Sequence, residues 1–445
     1  MANKKESGSC QVQIKFITKQ EQYAVPDTPF AVPTGITCTQ LNTLVNQLLK
    51  ENRSDISTTV DFDFLVRGEF LRQPLNEFLD DQHISHEEVV EVEYVEQHPT
   101  PEPMDCLMHD DWVSAVQVRN GWILTGCYDN TLHLWTKTGK HHLTIPGHSG
   151  PVKAVSWVYL TPTVGSFVSV SHDQTAMLWK WSVEENSVDC IHVCRGHERS
   201  LECVAVNEKS THMATGGWDT LLKIWTTAMR EKPSEAAEQV GESDETEVKR
   251  AKLDGSAKSH IKTPIMTLKG HREAISAVVW TDDQEIATSS WDHTLRVWDA
   301  ELGGLKSEIA GNKSFFDMSY SPLNKAVITA SADRHIRLYD LRSTEGTIVK
   351  GTYTSHTQWV QSVKWSTTDE HLFISGGHDC QVLLWDTRSP RAPLYNLEGH
   401  EDKVMCCDWS NPRYMVSGGA DKTVRVFKSR LLPDSLGNDE DKYEL

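Results

Sequence analysis

Histidine, hydroxyl, aspartate and indole side chains recur along the chain at fixed offsets. An Asp followed six residues later by an aromatic occurs at Asp129/Trp135, Asp173/Trp179, Asp219/Trp225, Asp292/Trp298, Asp333/Tyr339, Asp379/Trp385 and Asp421/Phe427. Four residues before each Asp stands a hydroxyl: Thr125, Ser169, Thr215, Thr288, Thr329, Ser375 and Ser417. A Gly-His or its remnant comes 20 to 25 residues before each Asp, at His109, His148, His197, His271, Asn312, His356 and His400. Imidazole and carboxylate could carry acid–base catalysis. A set repeated in every one of seven units instead serves the unit. A buried Asp or His must be paired, so the chemistry reads as structural hydrogen bonding.

The elements that would position these residues are short strands. Ala274 to Trp280 and Glu285 to Thr288 are alternating apolar runs between each His and Asp, and Thr294 to Trp298 alternates again after the Asp. A fourth run precedes each Gly-His, as in Pro264 to Leu268 and Pro393 to Leu397. Each unit is therefore a four-stranded sheet of roughly 40 residues that must stack on its neighbours to bury its faces. The motif Gly-His, Ser/Thr, turn Asp, Trp-Asp resembles the WD-repeat family, which implies a mainly β chain with a seven-bladed propeller. The resemblance further implies a hydrogen-bonded tetrad inside each well-formed blade. These would be His148, Ser169, Asp173 and Trp179; His197, Thr215, Asp219 and Trp225; His271, Thr288, Asp292 and Trp298; and His356, Ser375, Asp379 and Trp385. Met104 to Met108 stands before His109 as the fourth strand stands before the others, and no such strand follows Phe427. The N-terminal strand should complete the last blade and leave no open edge. The propeller is expected over 104–430.

The 445 residues allow two or three domains. No apolar run approaches a membrane span, and Met1 to Ser7 leads into no signal core. Lys442 to Leu445 looks like an endoplasmic-reticulum retention tail without the signal peptide that would give it meaning. Of ten Cys, the densest group is Cys190, Cys194 and Cys203, read as reduced thiols in strands because no fourth ligand has zinc-site spacing. A net charge of −19 disfavours direct nucleic-acid binding, which draws on neutralised phosphates, and points to protein partners. Gly311 to Ser314 has one residue too many for a phosphate loop and sits where a Gly-His should be. With no HExxH or GxSxG either, no catalytic constellation is visible and no cofactor is expected. The Asp219–Asp292 interval exceeds the others by about 30 residues, and the surplus at 228–261 is charged and free of aromatics. It reads as a disordered insert between blades three and four. Within it, Lys249, Arg250 and Lys252 resemble a nuclear import signal, with a solvated charge run as the alternative. Residues 431–445 form an acidic tail.

Residues 10–97 do not fit the repeat. Gln11 to Ile17 alternates as a strand, with Tyr23 to Pro33 as its hairpin partner. A helix follows with Leu41, Leu44, Val45, Leu48 and Leu49 on one face and Thr39 as N-cap. Strands at Phe62 to Val66 and Glu69 to Leu71, a helical turn at Leu75 to Leu79, and a strand at Val89 to Val95 complete a ubiquitin-like β-grasp pattern. A domain of this kind before a WD propeller resembles notchless. The seven-blade count, Phe62 to Leu65, Val89 to Tyr94 and His109 to Ser114 are closer to the WD-repeat ribosome-biogenesis family that works with pescadillo and its Bop-type propeller partner.

That resemblance implies a non-enzymatic assembly factor of the large ribosomal subunit, nuclear, nucleolar and nucleoplasmic. It would touch pre-ribosomal nucleic acid only indirectly. It also implies a role for Glu87, a loop acid just before the last strand of the ubiquitin-like domain. Its carboxylate would complete, in trans, a divalent ion held by the AAA ATPase midasin, as hard ions take oxygen ligands. Glu88 is the competing position, and Glu91, Glu93 and Glu96 read as the strand's solvated face. The rival from another class is a substrate receptor of a ubiquitin ligase.

Overall fold

The computed structural model describes residues 11–52, 59–85, 88–228, 260–342 and 349–430. The chain divides into two compact units, one of residues 1–100 with 386–393 and one of residues 101–385 with 394–445.

In the first unit, β1 (Gln11–Ile17), β2 (Phe30–Pro33), β3 (Phe62–Val66), β4 (Glu69–Phe70) and β5 (Val90–Glu96) form one mixed sheet. Its order is β2-β1-β5-β3-β4, with β1 and β5 parallel at the centre, as the β-grasp requires. Helix α1 (Cys38–Asn52) buries Leu41, Val45 and Leu49 against it, one helical turn apart. The helix starts earlier than Thr39. The Thr37 N–H donates to Gln40 Oε1 at 3.0 Å, half of a capping box, which places the cap at Thr37. Tyr23 to Val25 is not strand either. The Tyr94 hydroxyl receives the Val25 N–H and donates to the Tyr23 carbonyl, drawing that stretch into a turn (Glu21–Tyr23) that cannot pair with β1. Helix α2 (Leu75–Asp81) buries Leu75, Phe78 and Leu79.

The second unit is a ring of seven blades, each built on a four-stranded antiparallel meander, with a fifth strand added to blade two. Their inner strands are Val113–Arg119, Val152–Leu160, Leu201–Val206, Ile275–Asp282, Phe315–Ser321, Val360–Trp365 and Val404–Asn411. The apolar core lies between blades. Leu124 and Leu132 of blade one pack with Val152 and Trp181 of blade two, and Ile224 of blade three packs with Ile275 of blade four. Second-strand glycines allow the approach. A Cβ on Gly216 would stand 2.6 Å from Ile275 Cγ2, and one on Gly376 2.5 Å from Val404 Cγ1.

The ring closes through β6 (Glu102–Met108). It pairs antiparallel with the third strand of blade seven, Thr423–Lys428, from Thr423 opposite Met108 to Lys428 opposite Glu102. This is the closure read from the sequence.

The insert departs from expectation in two ways. It interrupts blade three between Leu221–Thr226 and that blade's outer strand Met266–Lys269, rather than lying between blades three and four. Its returning end, His260–Lys262, adds in parallel to Ser187–Arg195 as a fifth strand of blade two. The long strands of blade two offer the extra edge, and three residues are too few for a period to show.

Candidate functional site

All seven turn aspartates work on their own backbone. Asp173 Oδ1 accepts the Thr175 N–H at 3.0 Å and the Thr175 hydroxyl at 2.6 Å, and Asp292 Oδ1 does the same with Thr294 at 2.9 and 2.6 Å. The residue between them takes a left-handed backbone in every blade: Asn130, Gln174, Thr220, His293, Arg334, Cys380 and Lys422 have φ from 63° to 71°. The carboxylate offsets a conformation that costs a non-glycine residue about 1 kcal/mol.

The other carboxylate oxygen reaches the histidine. In blade two, His148 Nδ1 is 2.8 Å from Asp173 Oδ2 and His148 Nε2 is 2.7 Å from Ser169 Oγ, which also receives Trp179 Nε1–H at 2.8 Å. Blade three repeats this through His197, Asp219, Thr215 and Trp225 at 2.7, 2.8 and 2.8 Å. His271, Asp292, Thr288 and Trp298 do so in blade four at 2.9, 2.8 and 2.8 Å. In blade six, His356, Asp379, Ser375 and Trp385 meet at 2.9, 2.7 and 2.8 Å. The carboxylate can only accept, so Nδ1–H faces it; in the neutral imidazole Nε2 then accepts the hydroxyl proton, and the hydroxyl oxygen is left to receive Trp Nε1–H. That donor order matches a nucleophilic triad, but each hydroxyl is 0 % exposed, so no substrate can reach it. Burial opposes ionisation of Asp292. The Thr294 hydroxyl, the Arg272 N–H and His271 nevertheless hold its carboxyl down at about 2.

Three blades depart from the pattern. Blade seven keeps His400, Ser417 and Asp421 but has Phe427, which donates nothing. Blade five has Asn312 at the histidine position, and Arg337 forks onto Asp333 instead. In blade one, His109 turns from Asp129 to the Leu107 carbonyl, while Nε2 meets Thr125 Oγ1 at 2.9 Å and Trp135 Nε1–H at 3.2 Å. Burial and the neighbouring His133 hold His109 down at about 4. Ligand atoms of His109, Cys127 and His133 lie within 4.8 Å of one another, the one such group among the described residues. Both ring nitrogens of His109 are already engaged, which leaves no lone pair for an ion. Of the three Cys singled out in the sequence, Cys190 is half-buried while Cys194 and Cys203 are buried. Burial raises the first two thiols to about 11 and about 12.

Charged and polar side chains line the central channel. Lys364 Nζ lies 3.4 Å from Asp317 Oδ2, the same oxygen accepts Ser362 Oγ–H at 2.7 Å, and Ser362 Oγ receives the Cys407 N–H. This ties blades five, six and seven around a cavity of about 160 Å³.

On the ubiquitin-like unit, the loop before β5 borders a groove of about 510 Å³ lined by Lys15, Ile17, Leu65, Arg67, Val89 and Glu93. Arg67 and Gly68 both have positive φ, 51° and 79°, and form the tight turn that sets β4 beside β3. Val89 is 45 % exposed. Glu88 is exposed and its carboxylate lies 3.8 Å from Arg67 Nη2. Glu91 and Glu96 are exposed, whereas Glu93 is half-buried, 3.7 Å from Lys19 Nζ. Glu87 lies outside the described residues, as do Lys249, Arg250, Lys252 and the acidic tail 431–445. The groove escaped the sequence because its walls come from three strands distant in the chain. The exposed Val89 beside the loop acids was the only signal.

Comparison with known proteins finds a match to the "NLE (NUC135) domain" over residues 12–79. The "WD domain, G-beta repeat" matches seven stretches, 102–136, 139–180, 188–226, 262–299, 304–340, 348–386 and 391–428. A "Ribosome biogenesis protein WDR12 homolog" of Culex quinquefasciatus is 57 % identical over 422 residues, 95 % of this chain and 96 % of its own. Relatives with the same description in Aedes aegypti and Anopheles gambiae are 55 % and 53 % identical. They cover 95 % and 96 % of this chain and 96 % and 97 % of their own.

Proposed function

Since the chain belongs to the WDR12 family of ribosome biogenesis proteins, we propose that it is a non-catalytic assembly factor of the large ribosomal subunit. In this reading the propeller joins pescadillo and its Bop-type partner in the nucleolus and nucleoplasm, and the ubiquitin-like unit engages midasin. The observation that carries the non-catalytic part is the burial of the repeated His and hydroxyl groups: with the turn Asp they brace each blade from within and face no substrate. What is left to act is surface, and binding is what a surface does.

The midasin contact centres on Glu87, with a divalent ion held by the partner and none resident in this chain. The groove beside the loop supports this reading. Val89 and Ile17 offer apolar area next to a carboxylate-bearing loop, and a partner's metal site needs one such oxygen. Binding of the full chain to the purified adhesion domain of midasin tests it, with and without chelator. Glu87→Ala and chelation should each abolish binding, and Glu87→Asp should fail as well, because Mg²⁺ demands near-ideal geometry. Loss with Glu88→Ala alone moves the ligand by one residue. Normal binding by both alanine variants refutes the contact. Purification of the tagged protein with cullins and proteasome subunits, in place of pre-ribosomal particles, would favour the ubiquitin-ligase reading.

A further inference from the structure

One end of the propeller carries an aromatic arc that the repeat does not require. In every blade the residue just before the turn Asp donates its N–H to the residue, or near neighbour, that leads into the inner strand. Examples are Tyr128 to Trp112, Trp218 to Ser200 and His378 to Trp359. These paired positions all lie on one face, at the mouth of the central channel. The residue before the Asp is aromatic in five blades (Tyr128, His172, Trp218, Trp291 and His378) and alanine at Ala332 and Ala420.

The rings touch in sequence around the mouth. Trp112 meets Tyr128 at 5.4 Å between centroids, and Tyr128 meets His172 at 6.3 Å. Glu202 bridges the next step, 3.3 Å from His172 Nε2 and accepting Trp218 Nε1–H at 2.6 Å. Trp218 meets Trp291 at 5.0 Å, and Phe316 fills the alanine position of blade five, 6.5 Å from Trp291 and 5.6 Å from Trp359. Trp359 meets His378 at 5.5 Å. The arc thus spans six blades and opens only at blade seven. There Asp110, Asp111, Glu401 and Asp402 flank the gap, against Lys403 and Lys422. Trp112 and Trp218 are each 41 % exposed and Trp359 is 50 % exposed. Contiguous exposed aromatic area of this kind marks an interaction site.

We infer that this arc is the seat of an extended protein segment carrying arginines, whose guanidinium groups lie against the rings and whose end is held by the carboxylates at the blade-seven gap. Arginine is the side chain that both stacks on aromatic faces and forks onto carboxylates. Aromatic rings also stack nucleobases, but single-stranded nucleic acid needs a basic track beside them. Here the gap is acidic and the chain carries a net charge of −19. Glu202 is half-buried and paired with Lys153 at 3.3 Å, so the arc is pre-set before a partner arrives. The inference is independent of the midasin contact, which concerns the other unit.

The test is fluorescence polarisation of the full chain at physiological salt. The probes are a labelled Arg-Gly repeat dodecapeptide, its Lys-Gly counterpart and an oligouridylate of equal length. The arginine peptide should bind about five-fold or more tighter than the lysine peptide, since only guanidinium stacks as a plane. Trp218→Ala with Trp359→Ala should weaken it about ten-fold without a change of charge. Trp218→Phe with Trp359→Phe, which keeps both rings, should bind within about three-fold of the parent, guarding against loss through misfolding. Equal affinity of the alanine pair and the parent overturns the inference. So does tryptophan-dependent binding of the oligouridylate with no such dependence for the arginine peptide.

Discussion

The tetrads differ in one donor, and that difference can be measured. Ser375 Oγ in blade six serves two buried partners, receiving Trp385 Nε1–H and facing His356 Nε2. Ser417 Oγ in blade seven serves only His400 Nε2, because Phe427 has no N–H. An orphaned buried polar group costs about 1–3 kcal/mol. Ser375→Ala strands two groups and should destabilise the propeller by about 2–6 kcal/mol. Ser417→Ala strands one, for about 1–3 kcal/mol. Unfolding entropy near 2.1 cal/mol/K per residue gives roughly 0.7 kcal/mol/K for the roughly 330 residues of the ring. The expected falls in Tm are therefore about 3–9 °C and about 1.5–4 °C. Trp385→Phe supplies the decisive control. With the N–H gone, Ser375→Ala should cost about 1–2 kcal/mol less than in the parent. Urea titration followed by far-ultraviolet circular dichroism gives all four corners of the cycle. A coupling of zero between Ser375 and Trp385 would refute the donor order assigned to the tetrad.

Removing residues 1–100 should leave a folded ring, whereas removal through Met108 opens the last blade, lowers Tm and exposes a sheet edge; identical melting of the two truncations counts against strand closure. Acid should weaken the ring through His109. Its folded value near 4 lies below the ordinary 6.5, so the unfolded chain takes up a proton first as pH falls between those values. Stability is complete above about 6.5 and should drop by about 2 kcal/mol by pH 5, and His109→Gln should flatten that stretch of the urea profile. Thr220→Gly relieves a β-branched residue at φ 66° and should stabilise by about 1 kcal/mol, read as a higher urea midpoint. Alanine at Lys249, Arg250 and Lys252 should slow nuclear import in cells depleted of the binding partners; an unchanged nuclear signal leaves the run as solvated charge.

What the sequence conveys follows from what repeats. Strand period, turn Asp and motif Trp recur seven times, so the blades and their count were legible, as was the ring's closure by the strand before His109. Departures within single blades were not. Nothing at Asp129 announces that His109 bonds the Leu107 carbonyl instead. The fifth strand of blade two escaped because its three residues pair with a strand 68 positions upstream, from His192 to His260. The aromatic arc was half visible. The chain has 15 Trp and the motif uses five, yet only the folded ring brings Trp112, Trp218, Trp291 and Trp359 to one face. Contacts between blades leave no period behind them.

The strand that completes blade seven is also the first to follow the N-terminal unit, and this gives the ring a mechanical polarity. Along the covalent chain, tension on that unit enters the ring at Glu102, the end of β6 opposite Lys428. A pull along the strand loads the bonds from Glu102 to Met108 together, in shear. A pull across it opens them one at a time, starting with the outermost. The clasp of the propeller is thus its point of traction, and the direction of force decides whether the ring is dragged whole or unfastened.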